Sequence, residues 1–178
     1  MLDPRTALVV VDLQKGVVSL PTAHPVDGVV KNAGVLADAF REKGLPVVLV
    51  TAAGVAPGRV EVRFARREMG ADWADLVPEL HRVEGDHLVV KRTWGAFTGT
   101  GLDGFLRGEG VTQVVVCGIA TTMGVESTAR AAQECGYNVT LAVDAMTDVS
   151  VEAHENSVER IFPRLGETGS TAEILALL

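Results

Sequence analysis

Short, almost uninterrupted runs of Val, Leu and Ile alternate along this chain with longer stretches in which apolar residues return every three or four positions. The runs are Ala7 to Leu13 (ALVVVDL), Pro46 to Thr51 (PVVLVT), His87 to Lys91 (HLVVK), Gln113 to Gly118 (QVVVCG) and Asn138 to Val143 (NVTLAV). Continuous apolar runs of this length predict strands buried on both faces. Leu165 to Thr168 adds a short sixth. Between them, Asp27 is placed to cap a helix from about Gly28 to Lys43, with Val29, Leu36, Ala39 and Phe40 on one face and Gly44 as its stop. Further helices are predicted from Leu102 to Arg107, from near Met123 to Gly136, from Val151 to Phe162 behind Ser150, and from a Ser170–Glu173 capping box to Leu178.

Strands alternating with helices in short units imply a parallel sheet covered on both faces and joined by right-handed crossovers. The expected fold is a three-layer α/β/α sandwich, Rossmann-like, around a mainly parallel sheet of roughly six strands. Residues 1–178 read as one domain, without repeat, linker or low-complexity segment. In such a sheet, ligands sit beyond the carboxyl ends of the strands. That places Asp12, Lys91 and the loop from Gly118 to Gly124 in the candidate site. The less regular stretch from Ala52 to Gly85 reads as an excursion over that site.

Composition supports this picture. A chain 47% hydrophobic but only 4% aromatic, with 19 glycines, suits aliphatic strands joined by tight turns and does not suit a disordered chain. A net charge of −7 opposes a phosphate backbone, which argues against nucleic acid as a partner. No apolar stretch reaches the roughly 18 residues of a membrane span, so no membrane partner is expected. The start, MLDPRTALVVVDL, lacks the basic region, apolar core and small-residue cleavage site of an export signal. With Cys117 and Cys135 read as reduced thiols, the expectation is a cytoplasmic protein.

Asp12 closes an otherwise apolar strand, and a buried carboxylate without a partner is costly, so it calls for a cation or a solvated pocket. Lys91, at the end of the third strand, is the natural partner. Other residues carry two readings each. Gln14 either meets a ligand, on the same side as Asp12 if the strand continues, or caps a loop. Trp94 and Phe97 either wall a small-molecule pocket or pack in the core. Arg59 and Arg63, with Arg66 and Arg67 nearby, either reach over the pocket to hold a carboxylate or form a solvated or subunit-contact surface. Glu126, in the first turn of the helix after Gly124, either forms a salt bridge or pairs with a partner subunit. His24, His81, His87 and His154 lack metal-ligand spacing, and His154 is expected to support the loop after the fifth strand. GTGLDG, from Gly99 to Gly104, fits a dinucleotide-binding pattern only formally, because it lies eight residues beyond its strand.

Three segments, VVVDLQKG, KRTWGAF and CGIATTMGVESTARAA, strongly resemble the isochorismatase-like hydrolases, also called the cysteine hydrolase superfamily. The resemblance continues through TGLDGFL and LAVDAMTDVSVEAHENS and spans nearly the whole chain. It implies a catalytic Asp12, a charged neighbour Lys91, and a non-proline cis peptide between Ile119 and Ala120 that turns backbone N–H groups toward the substrate. Ile119, Ala120 and Met123 would then line the substrate, together with Gln14, Trp94 and Phe97. Dimers or tetramers are implied, and neither cofactor nor metal, since TAAGVAPG stands where nicotinamidase members carry a metal motif.

The departure is Gly124, which stands where amidase members carry the attacking cysteine. Cys117, inside a strand, and Cys135, at a helix end, do not replace it. The branch of the family that works without the cysteine includes isochorismatases, which hydrolyse an enolpyruvyl ether. There Asp12 would act as general acid, although burial raises a carboxyl pKa while a neighbouring ammonium lowers it. Two rivals stand beside this reading. One is an oligomeric or ligand-binding member without activity, and the other is an amide hydrolase in which ionised Asp12 activates water.

Overall fold

The computed structural model describes residues 1–54, 56, 58–61 and 70–178. In chain order, β1 (Thr6–Val11) leads to α1 (Lys15–Val18), α2 (Val26–Glu42) and β2 (Val47–Ala52). A single 3-10 turn (Pro78–Leu80) precedes β3 (His87–Lys91), α3 (Leu102–Gly108) and β4 (Gln113–Ile119). A π turn (Thr121–Val125) then runs into α4 (Glu126–Glu134). After β5 (Asn138–Thr147), α5 (Val151–Asn156) continues through a second π turn (Ser157–Ile161) into α6 (Phe162–Leu165), followed by β6 (Glu167–Gly169) and α7 (Thr171–Leu175). The six strands form one sheet in the order β3-β2-β1-β4-β5-β6, and every pairing is parallel.

The alternation of β1 explains the layers. Ala7, Val9 and Val11 pack with Leu102 and Leu106 of α3, Ala129 and Ala132 of α4 and Phe162 of α6. Leu8 and Val10 pack on the other face with Val29, Ala33, Leu36 and Phe40 of α2 and Ile174 of α7. All six residues of β1 are buried, as a central strand covered on both faces requires. The chain leaves β1 toward β2 and β3 and then crosses back to β4. The point where its direction reverses, between the carboxyl ends of β1 and β4, is where such sheets hold ligands.

Several boundaries differ from the pattern-based expectation. β1 stops at Val11 rather than Leu13, because Asp12 takes a left-handed conformation (φ 54°) that breaks the extended run. Helix α2 starts at Val26 behind Pro25, so Asp27 lies in the first turn, where its charge suits the helix dipole, instead of capping it. β5 runs on to Thr147, four residues past the expected end. The Ser170–Glu173 capping box is present, and Ser150 accepts a hydrogen bond from the amide of Ala153 to open α5. Among the described residues no helix is long and apolar enough to cross a membrane.

Gly118 marks a very close approach of β4 to β1. Its φ is 123°, and a β-carbon there would collide with the carbonyl oxygen of Val11. The pairing of β4 with β5 also shifts register between Val116 and Gly118, which re-aims the strand end leading to the site. Gly118→Ala is expected to lower stability by about 3 kcal/mol or more through overpacking and left-handed strain together, measured as a drop in the urea midpoint.

Candidate active site

The left-handed turn at Asp12 gives the site its geometry. Odd-numbered residues of β1 face α4 and even-numbered ones face α2, so an extended Asp12 would follow Val10 toward α2. The turn instead brings its carboxylate to the α4 side, while its amide still donates to the carbonyl of Val50 (2.9 Å). Lys91 shares a face with Val89, which belongs to the α3–α4 layer. Since β2 lies between β1 and β3, the lysine must reach past one whole strand, and its four-carbon stem suits that span. Its Nζ donates to Asp12 Oδ2 at 2.7 Å and to the carbonyl of Thr93 at 3.1 Å. The side chains of Lys91 and Asp12 are only 2% and 10% exposed.

The two opposing influences on Asp12 do not cancel. Burial dominates and pushes its carboxyl up to about 6, against the smaller lowering from the charge and hydrogen bond of Lys91. Its second oxygen, Oδ1, is buried and has no hydrogen-bond partner among the described residues, so little else favours the ionised form. The result is a carboxyl that changes charge within a unit or so of neutrality.

The third part is the turn between β4 and α4. The Ile119–Ala120 peptide is cis, and the carbonyl of Ala120 accepts from the amides of Met123 (3.1 Å) and Val125 (3.2 Å). Asp148, buried at the end of β5, accepts from the amide and hydroxyl of Thr122 (2.8 and 2.7 Å). Thr121 Oγ1 and His154 Nδ1 share a bond of 2.8 Å. Thr128 donates to the carbonyl of Gly124 (2.6 Å) and accepts from the amide of Ala96 (3.0 Å), tying α4 to the segment after Lys91. Gly124 itself is buried against β1. A β-carbon on it would lie 3.2 Å from Asp12 Oδ2 and 2.8 Å from Val11 Cγ1. Residue 124 therefore faces the carboxylate, and Val11 fills part of the space that a side chain there would take.

Asp12, Lys91 and Gly124 are thus brought together, with Ile119 and Ala120 buried alongside and Met123 half-buried against the α2 layer. Gln14 is corrected. It is fully buried, its Oε1 accepts from the amide of Ala52 (2.7 Å), and its Nε2 donates to the carbonyls of Ala52 and Trp73 (both 3.2 Å). It clamps the β1 and β2 ends to the Trp73 segment, because the strand it was expected to continue ends at Val11. Phe97 packs on the core, 6.1 Å from the ring of Tyr137, whereas Trp94 is 54% exposed. Glu126 pairs with Arg130 (2.9 Å) and accepts from Ser157 (2.6 Å), so its contacts lie within the chain. Arg59 is exposed, and Arg63, Arg66 and Arg67 lie outside the described residues.

Asp148 is the residue that sequence reasoning missed. The expected end of β5 made Asp144 the strand-end acid, but Asp144 accepts from the amide and hydroxyl of Thr171 and so caps α7. An acid two residues before the helix-capping Ser150 was the available signal. Among the described residues no group of three or more His, Cys, Asp or Glu side chains could hold a metal ion.

Two outcomes follow from this packing. Lys91→Met leaves Asp12 buried without its cation and is expected to lower stability by about 3–5 kcal/mol at pH 8. Because the penalty falls on the ionised form, the loss should shrink between pH 8 and pH 5 as Asp12 takes up a proton, read from urea midpoints across that range. Gly124→Ala is expected to cost about 1–2 kcal/mol by crowding Val11, and less in a Val11→Ala background, which a double-mutant cycle measures.

The isochorismatase domain model matches residues 6–173. The chain is 44% identical over 178 residues to the isochorismatase family protein YwoC of Bacillus subtilis, covering 96% of this chain and 93% of that one. The structure of an isochorismatase family protein from Burkholderia thailandensis superposes with a TM-score of 0.94 at 40% identity, over 98% of this chain and 96% of that one. N-carbamoylsarcosine amidase from Thermoplasma acidophilum is similar at a TM-score of 0.79 and 27% identity, over 94% and 96% of the two chains. The chain belongs to the isochorismatase family, whose members are hydrolases.

Proposed function

We propose that this protein hydrolyses a small vinyl ether of the isochorismate type without a thiol nucleophile, with Asp12 moving the proton and Lys91 as its charged partner. The observation that carries the reading is the Asp12 carboxyl, which is buried, held by Lys91 through Oδ2 alone, pushed up to about 6, and turned toward a residue with no side chain. A thiol mechanism has no candidate in its place. Cys117 is sealed inside β4, where burial pushes its thiol up to about 12, and Cys135 follows the far end of α4.

With a carboxyl near 6, roughly a tenth of the molecules carry the proton on Asp12 at pH 7, and rapid re-protonation keeps that form supplied. In the proposed reaction Asp12 delivers this proton to the terminal methylene carbon, whose double-bond electrons form the new C–H bond. The adjacent carbon becomes an oxocarbenium centre. Water adds there and its surplus proton returns to Asp12. The hemiketal then breaks the bond between its central carbon and the ether oxygen as its hydroxyl becomes the new carbonyl, and the hydroxyl proton passes to the departing oxygen, releasing pyruvate and an alcohol. Lys91 steadies the carboxylate left on Asp12 between the two proton transfers, through the same contact that it makes with the ionised carboxyl at rest.

The larger, ionised fraction of Asp12 at neutral pH favours a second reading, in which it activates water against an amide, the bond class named in the N-carbamoylsarcosine amidase. The two readings have opposite pH dependence. The purified protein is incubated with isochorismate and with a panel of small primary amides, and pyruvate and ammonia are followed. Pyruvate release is expected, with kcat/KM falling as pH rises through about 6 and turnover reduced at least about 100-fold in Asp12→Asn. Ammonia release that rises through the same pH would establish the second reading, and neither product would sink both.

A further inference from the structure

His24 and His154 lie far apart in sequence, yet the fold sets their rings edge to face, with centroids 4.7 Å apart and planes at 60°. Both are half-buried, and both border one cavity of about 220 Å³ on the α2 side of the sheet, together with Gly28, Asn32 and Met146. Neither ring serves the core or the proton chemistry at Asp12. Each instead meets a buried threonine hydroxyl through Nδ1, His154 that of Thr121 at 2.8 Å and His24 that of Thr147 at 3.0 Å. Thr121 opens the π turn that carries Gly124, and Thr147 ends β5. The His24 side is fastened twice more, since its own amide donates to Thr147 Oγ1 (3.2 Å) and the amide of Ala23 donates to the carbonyl of Asp148 (2.7 Å).

Burial fixes the direction of the Thr121 bond. Among the described residues the hydroxyl has no partner besides His154 Nδ1, and a buried hydroxyl proton without an acceptor is costly. The hydroxyl therefore donates, Nδ1 accepts, and the ring keeps its single proton on Nε2, an assignment that follows from the hydrogen-bond network. A second proton could enter only at Nδ1. It would turn the bond around, strand the threonine proton in a dry place and set a cation against the His24 ring. Burial holds the His154 imidazole below the usual histidine range, and His24 adds to this, against smaller raising from Asp148 at the end of β5 and Glu155 on its own helix. Asp148 already has both oxygens engaged, by Thr122 on one side and by the amides of Val149 and Ser150 on the other. Asp144, the other acid bordering the cavity, caps α7 through Thr171. We propose that His154, braced by His24, is a positioning residue of this site: as a neutral ring it fixes the Thr121 turn that sets Gly124 against Asp12, and on taking up a proton it lets that turn go. The proposal rests on the reading of Asp12, Lys91 and Gly124 as the active site, and not on which bond is cleaved there.

NMR of the isotope-labelled full chain between about pH 8 and about pH 5 tests this, in an Asp12→Asn background that silences the other group titrating there. The His154 ring is expected to be neutral at about pH 7, and the backbone amide resonances of Thr121 and Met123 to move with its titration. With His154→Asn added, the asparagine carbonyl takes the acceptor place of Nδ1 at every pH, and those resonances should stay still. Thr121→Val removes the bond that favours the neutral ring, and His24→Asn removes the opposing ring, so each should move the His154 titration to higher pH. A ring already charged at about pH 7, turn resonances that ignore its titration, the same movement with His154→Asn, or a titration unmoved by Thr121→Val would each overturn the proposal. With Asp12 intact, kcat should fall on the acid side as the ring takes its proton, and His154→Asn should lack that limb, whereas a merely structural role would lower kcat alike at every pH. Because the resonances are read in a variant without the Asp12 carboxyl, their outcome is separate from the fate of the reaction proposed for that carboxyl.

Discussion

A carboxylate and an ammonium buried together at the carboxyl edge of a parallel sheet constrain everything around them. Neither Asp12 nor Lys91 is tolerable alone in so dry a place, and each is held where it is by the other and by the strands that carry them. The pairing requires β1 and β3 to lie one strand apart, so that a lysine can span β2. It requires Asp12 to leave the strand at once, since one more extended residue would send the carboxylate to the wrong face. It also requires β4 to pass against Val11, which only a glycine at 118 permits. The sheet order, the left-handed aspartate and the close glycine are three parts of one solution to a charge-burial problem.

Gly124 fits into this solution as a matter of shape. The absent side chain lets Val11 lean toward α4, and it leaves Asp12 Oδ2 to be met by Lys91 rather than by a side chain from residue 124. The turn that carries Gly124 is nonetheless held firmly, by Asp148 and His154 at Thr122 and Thr121 and by Thr128 at the glycine carbonyl. Rigid support around a position that contributes no reactive atom is what a reaction between substrate, water and a single carboxyl needs. A covalent mechanism would place its demands on residue 124 itself.

Most of the architecture was legible in the sequence because a doubly covered parallel sheet writes itself as apolar runs. All five main strands, and the pair Asp12 and Lys91, are found where those runs end. What was not legible were the places where a local rule yields to a tertiary one. Asp12 closes a run that looks extended through Leu13, and nothing nearby announces a left-handed aspartate; the cause is Lys91, 79 residues away. The ligand-facing reading of Gln14 rested on that same extended run, and its loop-capping reading is the one that the structure matches. The end of β5 was misplaced because Asp144, an acid inside a strand, looks like a stop, whereas the amide and hydroxyl of Thr171 at the start of α7 make it acceptable there. Val11, whose side chain decides how Gly124 can be filled, is indistinguishable in sequence from its neighbours Val9 and Val10.

The protonation of Asp12 and the binding of a carboxylate are then not independent. An anionic substrate bound beside Asp12 adds negative potential next to a carboxyl that is already poorly solvated, and any share it takes of the Lys91 ammonium weakens the interaction that favours ionised Asp12. Both effects raise the carboxyl pKa further. By linkage, the substrate that needs a proton makes the proton donor more fully protonated as it binds, and a protonated Asp12 in turn makes the site more positive and the anion more tightly held. On the proposed reading the fold therefore does not need to hold a strong acid in waiting. It needs a carboxyl close to its balance point, which burial against Lys91 supplies, and a substrate whose own charge moves that balance at the moment of use.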